Sequence, residues 1–209
     1  MLVAMRVVAA GDTYWKFEGT KKLLSEIGKA ILLFAEGSLD SKKDDAQDWT
    51  IEDIAKYTKH LPMTIIGEKN GRVHIVKKGQ IIKAQLDGAA CLSDDENEKL
   101  RYLKADQLYN VSYTPKRKVL ALSRICADAD TPYEGAGKAD LLLLPTADDL
   151  EDRLGSIIQS HKEHLKPNAL IVQCVMHEGG RFIYSLSKKR KVGKTLRDHL
   201  GSKYVVYDW

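Results

Sequence analysis

The chain has few of the residues that build disulfide-rich or zinc-binding proteins. Its 209 residues include only three cysteines, Cys91, Cys126 and Cys174. These are too few and too scattered for a disulfide framework, and no two of them form a Cys-x-x-Cys pair, which argues against structural zinc. Unpaired thiols are typical of proteins in a reducing compartment. The sequence therefore predicts a protein without metal or disulfides.

The sequence also lacks a long apolar run. No segment approaches the ~20 consecutive apolar residues that span a bilayer. The apolar stretch 2–10 is short, has no basic region before it and has no clear cleavage site after it, so it predicts a buried strand rather than a signal peptide. These absences, together with the free thiols, predict a cytoplasmic protein with no membrane partner.

Charge of one sign is not in large excess. Charged residues make up 30% of the chain and the formal net charge is +4, which is too small to indicate a nucleic-acid partner by itself. We interpret the basic runs 116–118 and 188–191 as solvated loops. Hydrophobic residues make up 44%, which is enough for one substantial core. Because there is no internal repeat or low-complexity tract, we expect a single domain over 1–209.

Apolar stretches and amphipathic stretches alternate through most of the chain. Predicted strands cover 2–10, 30–34, 63–67, 72–77, 80–86, 119–125, 139–144, 170–176, 181–186 and 203–209. Predicted helices lie around 23–28, from a Thr50 cap to residue 59, around 96–103, and from a Thr146 or Asp148 cap to a stop at Pro167. This alternation favours an α/β fold in which helices cover a mixed sheet.

Glu36 is the first candidate catalytic residue. It follows the apolar run 30–34, and α/β sheets place their functional sites at the carboxyl ends of strands. A glutamate that is partly desolvated there would have a raised pKa, which suits a general base. The alternative is that Glu36 is the first exposed residue after a buried strand, and this stretch alone favours that alternative.

Cys126 is the second candidate. It ends another apolar strand and is followed by small and acidic residues and Pro132. A thiol at such a turn can lie near backbone N–H groups, which lower its pKa and can also form an oxyanion hole. The alternative is a small buried hydrophobe, the commoner role of a free cysteine. We predict that alternative for Cys174, which lies in mid-strand, whereas Cys91 lies in a loop without an identified partner.

Three segments, in this order, resemble the carbon–nitrogen hydrolase (nitrilase) superfamily. The segment 34–36, Phe-Ala-Glu, is similar to that family's strand ending in Phe-Pro-Glu. The segment 125–132 matches the family's nucleophile motif of Ile-Cys, Asp, an aromatic residue and Pro, except that Thr131 replaces the aromatic residue. The segment 139–145 matches the Ala-Asp, apolar run and Pro that follow. The resemblance covers most of the chain.

The resemblance implies a four-layer α/β/β/α sandwich with mixed sheets and a Glu–Lys–Cys triad. Glu36 would be the general base, and Cys126 would attack an amide or nitrile carbon to form a thioester. The lysine would stabilise the oxyanion. The family's lysine position falls on Asp87, however, so the candidates are Lys83, which has the same strand parity, and Lys104.

Two hypotheses on function follow from the resemblance. The first is an amidase-type hydrolase that acts on a small amide or nitrile without metal or organic cofactor, and that forms a homodimer as family members commonly do. The second is a catalytically inactive protein of the same fold with a binding or assembly role. The carboxylate at Asp87 motivates the second, because it would oppose rather than stabilise an oxyanion.

Overall fold

The computed structural model describes most of the chain with its side chains. It covers residues 5–10, 17–35, 50–69, 72–86, 108–125, 129–176, 179–197 and 203–209, except the side chains of 17–20, 69, 72, 83–86 and 179. Its helices are α1 (Phe17–Ile27), α2 (Ile51–Thr58) and α3 (Leu154–His161). Its strands are β1 (Arg6–Ala9), β2 (Ile31–Leu33), β3 (Thr64–Lys69), β4 (Arg72–Lys77), β5 (Gln80–Leu86), β6 (Tyr109–Asn110), β7 (Leu120–Ser123), β8 (Ala139–Thr146), β9 (Leu165–Val175), β10 (Gly179–Ser185), β11 (Arg190–Val192), β12 (Lys194–Arg197) and β13 (Lys203–Asp208).

The described strands form two mixed sheets of the same design. In the first, β1, β2 and β3 are parallel and the antiparallel strands β4, β5, β13 and β12 flank them. In the second, β7, β8 and β9 are parallel and the antiparallel strands β6, β10 and β11 flank them. The two sheets are joined by pairing of β10 with β13, which involves one residue pair, Gly179 with Lys203. The strand pairing is therefore weakest where the two sheets meet.

Strand periodicity divides the buried residues into three clusters. One cluster joins both sheets, with Leu33 of β2 and Leu143 of β8 among its members. The alternate residues face the helices: Leu32 packs in a cluster with α1 and α2, and Leu142 packs in a cluster with α3. Because β2 and β8 are buried on both faces, their sequences are continuously apolar rather than alternating.

The mixed α/β fold predicted from the sequence is confirmed. The finer four-layer order stays a prediction, which the shared cluster between the sheets and the two helix-facing clusters support. No helix of the described residues is long and apolar enough to cross a membrane.

The helix predicted after β8 is wrong at both ends. Thr146 belongs to β8 and Gln173 Nε2 donates to its hydroxyl at 3.0 Å, so Thr146 does not cap a helix. A 3-10 turn covers 151–153, and α3 begins at Leu154 with no side-chain cap. Pro167 does not end the helix, because it already lies in β9. The strand signal was missed at 165–169, where the polar residues interrupt the apolar pattern.

Other predictions are confirmed. Thr50 caps α2 in a full capping box: its side chain accepts from Asp53 N, and Asp53 accepts from Thr50 N at 3.0 Å. The three strands of the β3–β5 meander and the last strand β13 lie where they were predicted. The short strands β6, β11 and β12 were not predicted, and part of the basic run 188–191 lies in β11. The helix predicted at 96–103 lies outside the described residues.

Candidate functional site

The two sheets approach each other closely at the carboxyl ends of their parallel strands. Ala9 of β1 pairs with Leu33 of β2 in the first sheet. From the second sheet, the Cys174 thiol of β9 donates to the Leu33 carbonyl oxygen at 3.0 Å. A Cβ placed on Gly180 would lie 2.1 Å from the Ala9 carbonyl oxygen. Only glycine therefore fits at position 180, and this contact fixes how the sheets meet.

The carboxyl end of β7 lies at the same edge. Ser123 pairs with Leu143 of β8, and the Arg124 N–H donates to the Leu143 carbonyl at 3.0 Å. Two residues further along β8, Pro145 pairs with Cys174. The end of β7 therefore lies across β8 from the thiol that contacts β2.

This geometry brings the ends of both candidate strands into one region. Ala35 and Ile125 are 0% and 5% exposed, and both belong to the cluster between the sheets. Each is the residue immediately before a candidate, Glu36 in one case and Cys126 in the other. Glu36 and Cys126 themselves lie outside the described residues, as do Cys91, Asp87 and Lys104. Their roles stay predictions.

Lys83 lies in β5, and its side chain is outside the description. Its backbone pairs with His74 of β4, beside a register irregularity between Val73 and His74. Val73 and Ile75, on either side of His74, belong to the cluster between the sheets. Neighbouring strand positions face opposite sides of a sheet. His74, the backbone partner of Lys83, is therefore at a β4 position on the opposite side from Val73 and Ile75, which pack between the sheets.

Arg124 holds the loop that contains Cys126. Its side chain is buried, with the whole residue 2% exposed. Its Nε donates to the Thr131 carbonyl at 2.9 Å, and its two terminal nitrogens donate to the Ser123 and Pro132 carbonyls, each at 3.1 Å. One guanidinium thus joins the strand before Cys126 to the chain five and six residues after it. No role for Arg124 was predicted from the sequence, although a charged residue at the end of an apolar stretch was the available signal.

His161 of α3 contacts the chain after Cys126 at Ala129. It is fully buried, and its Nε2 lies 2.8 Å from the Ala129 carbonyl oxygen. Because a carbonyl only accepts, Nε2 carries the hydrogen. Burial is the main cause that lowers the pKa of His161, so the ring is neutral at pH 7. Among the described residues Nδ1 has no hydrogen-bond partner, and no group of three His, Cys, Asp or Glu side chains could hold a metal ion.

Asp130 completes the support of the loop. It forms an ion pair with Arg153 and accepts from the Ser156 hydroxyl at 2.8 Å. The described segment 129–132, which follows Cys126 in the sequence, is therefore attached to β7, to the 3-10 turn and to α3. A loop fixed by rigid elements can hold a reacting side chain in one orientation.

Cys174 is a structural thiol, as predicted. It is 0% exposed, and burial raises its pKa well above the ordinary value. A protonated, inaccessible thiol is a poor nucleophile. Cys174 therefore serves as an internal control for the reactivity of Cys126.

Replacing Arg124 with methionine is expected to lower the free energy of unfolding by about 3 kcal/mol or more, because hydrogen bonds from a charged group are each worth about 1.5–3 kcal/mol. Urea unfolding of the purified variant measures this. Arg153→Met is the matched control, because the Arg153 side chain is 42% exposed and its pair should contribute about 1 kcal/mol or less. Equal small losses in the two variants would show that Arg124 does not hold the loop.

Comparison with known proteins finds the fold and not a close relative. No protein-family model matches the chain, and no curated protein matches its sequence. A cysteine-to-alanine mutant of the Nesterenkonia AN1 amidase, from the nitrilase superfamily, aligns with a TM-score of 0.58 and 12% identity over 98% of this chain and 90% of that chain. A glutamate-to-glutamine mutant of the amidase from Nesterenkonia sp. AN1 aligns over the same shares with a TM-score of 0.51 and 12% identity. That structure shows covalent addition of the acetamide moiety of fluoroacetamide at the active site cysteine.

At 12% identity the likeness concerns architecture. It extends over 98% of this chain. The chain therefore has the fold of the nitrilase superfamily.

Proposed function

We propose that this chain is a divergent carbon–nitrogen hydrolase of the amidase type, with Cys126 as nucleophile and Glu36 as general base. One observation carries the proposal: the carboxyl ends of β2 and β7, each followed three residues later by one of these candidates, meet at the same edge of the two sheets. The fold neighbours support it, because they are amidases and one carries an adduct on its active site cysteine.

The proposed reaction has two stages. In the first, Glu36 accepts the proton of the Cys126 thiol, and the thiolate attacks the carbonyl carbon of a small amide. The oxyanion that forms is stabilised by a lysine ammonium, for which Lys83 is the candidate. The C–N bond then breaks, Glu36 returns the proton to the leaving nitrogen, and ammonia departs from a thioester.

In the second stage, water replaces ammonia as the partner of Glu36. The carboxylate removes a proton from water, the hydroxide attacks the thioester carbon, and the C–S bond breaks to release a carboxylic acid. Glu36 passes its proton to the departing Cys126 thiolate, which restores both residues. A nitrile would react by attack of the thiolate on its carbon to give a thioimidate, which one water converts to the thioester with release of ammonia. No metal or organic cofactor takes part. We place this activity in the cytoplasm, in a homodimer, as the sequence and its resemblance predict.

A second candidate function is a non-catalytic protein of this fold that binds or assembles. The register of β5 favours it, because Lys83 pairs with His74 and not with the inter-sheet positions Val73 or Ile75. Under this alternative Cys126 would be a small buried hydrophobe and no lysine would complete the triad.

Ammonia release distinguishes the two candidates. The purified chain is incubated with a panel of small aliphatic amides, and free ammonia is measured over time. The hydrolase proposal predicts release at a rate that scales with protein concentration. Release no faster than in buffer, from protein whose circular dichroism shows it to be folded, would favour the non-catalytic candidate.

A further inference from the structure

A basic cleft lies at the opposite end of the sheets from the candidate catalytic edge. It has a volume of about 270 Å³ and lies between the β4–β5 turn and the loop that joins β6 to β7. Lys77 pairs with Thr64, the first residue of β3, and Lys118 lies just before β7. The cleft is thus at the amino ends of β3 and β7, whereas Glu36 and Cys126 follow the carboxyl ends of β2 and β7.

Four cationic side chains line this cleft, and they come from both sheets. Lys77 is the last residue of β4 and Lys78 belongs to the β4–β5 turn, whereas Arg117 and Lys118 belong to the loop before β7. Within the part of the chain that the structure describes, none of the four forms an ion pair with a carboxylate. Arg117 lies over the ring of Trp209, 4.2 Å from its centroid, which holds the guanidinium in place without neutralising it.

Two carboxylates among the described residues near this end of the sheets, Asp208 and Asp140, are already paired. Asp208 accepts from Arg6 Nε at 2.8 Å, and the Arg6 N–H donates to the hydroxyl of Tyr113 in the cleft wall at 3.4 Å. Asp140 accepts from Lys166 at 2.9 Å and from the Leu120 N–H at 2.9 Å. Because each of these two carboxylates pairs with a cation outside the cleft, neither of them neutralises the positive charge inside the cleft.

Backbone geometry and local hydrogen bonds define the turn and the loop that carry the cationic residues. Lys78 and Gly79 have φ values of 51° and 76°, which form the tight turn between β4 and β5. In the loop, the Ser112 hydroxyl is buried, donates to the Thr114 carbonyl at 2.6 Å and accepts from the Thr114 N–H at 3.2 Å. Because these segments have defined backbone conformations, the four cationic residues are placed around one volume, and the Arg117 guanidinium is also held by Trp209.

An anion in this cleft would favour the charged form of Lys77. Partial burial is the first cause that lowers its pKa, and the charge of Lys78 is the second. An anion between the two ammonium groups offsets both effects, because its negative charge favours the protonated form of Lys77. The volume is below the ~300–1,000 Å³ that holds a drug-sized ligand, which favours a compact ion of high charge over a nucleotide or a polymer.

We propose that this cleft is an anion site for a small, multiply charged phosphate compound such as pyrophosphate. Lys77, Lys78, Arg117 and Lys118 supply charge-assisted hydrogen bonds, with the Arg117 guanidinium able to bind two phosphate oxygens at once. The site is separate from the proposed hydrolase edge. It links the first sheet to the second, so a bound anion stabilises their contact and the fold as a whole.

Titration calorimetry and thermal unfolding with sodium pyrophosphate test this proposal, at constant ionic strength set with sodium chloride. We expect saturable binding and a rise in Tm. Lys77→Gln and Arg117→Gln should each weaken the affinity at least about tenfold, the effect of losing one charge-assisted contact. Lys116→Gln is the matched control, because Lys116 is exposed in the same loop but does not line the cleft, and it should bind like the unchanged chain.

Further arms make the outcome decisive. Lys118→Gln, at an exposed position, should weaken binding even if Lys77→Gln fails to fold. Glycerol phosphate should compete with pyrophosphate if the site accepts a phosphate carried by an organic molecule, and should not compete if only the free ion fits; both results keep the anion site. No heat with pyrophosphate at millimolar concentration, equal affinity in the Lys116 and Lys77 variants, or binding of an oligonucleotide but not of pyrophosphate would overturn the proposal. None of these readouts depends on amide hydrolysis.

Discussion

Cys126→Ala is expected to abolish amide hydrolysis, with a loss in kcat on the order of a millionfold. Loss of the nucleophile of a covalent mechanism costs this much in subtilisin, where oxyanion stabilisation and binding provide what is left. In this chain no other described thiol can substitute, because Cys174 is fully buried and burial raises its pKa. Ammonia release from the best amide of the panel, followed under single-turnover and steady-state conditions, measures the effect.

The matched control is Cys174→Ala. The Cys174 thiol contacts the Leu33 carbonyl between the sheets, so the substitution is expected to cost some stability and to leave kcat within a few-fold of the unchanged chain. Cys91→Ala serves as a second control. If the Cys126→Ala variant is folded and keeps the full rate of ammonia release, then Cys126 is not the nucleophile.

Glu36→Gln is expected to lower kcat by about a hundredfold to ten-thousandfold, the usual contribution of a positioned acid–base group. Glutamine keeps the size of the side chain but cannot accept the thiol proton or return it to the leaving nitrogen. Glu36 is the residue directly after Ala35, which is 0% exposed and ends the buried apolar stretch. The measurement is the pH dependence of kcat/KM.

Glu52→Gln is the control for this substitution, because Glu52 is exposed in the first turn of α2. The unchanged chain and the Glu52 variant should both lose activity as the pH falls and the base is protonated. The Glu36 variant should have a low rate without that acidic limb. A Glu36 variant that retains the limb and most of its rate would assign the base to another residue.

Local signals predicted most of the elements in the first half of the fold. Thr50 was predicted to cap α2 with Asp53 in its acidic first turn, and the two residues cap the helix reciprocally. The continuous apolar runs around β2 and β8 predict strands that are buried on both faces, as they are. In each case the information lies within a few neighbouring residues.

Prediction was poorer where distant contacts decide the structure. Thr146 has the composition of a helix cap, but in the fold Gln173, far along the chain, donates to its hydroxyl. Pro167 in the sequence predicts the end of a helix, but the pairing of β9 with β8 places this residue in a strand. Strands β11 and β12 are short, mostly exposed and rich in cations, so they lack the apolar pattern that identifies a strand.

In the candidate site, too, local sequence signals were predictive and long-range contacts were not. Glu36 and Cys126 were found because each follows an apolar strand in an order that resembles a known family. The role of Arg124 depends on carbonyls of Ser123, Thr131 and Pro132 that the folded loop brings around it, and no spacing rule predicts that arrangement. The basic cleft likewise needs the two sheets to meet before its cations become neighbours.

The most direct test of the central claim is the reaction of the intact chain with iodoacetamide across pH, with mass mapping of the three cysteines. The proposal predicts that Cys126 is alkylated with a thiolate pKa well below the ~8.5 of a free cysteine, while the buried Cys174 stays unmodified. If Cys126 reacts no faster than Cys91, or not at all, it is not an activated nucleophile, and the hydrolase proposal is contradicted at its central residue.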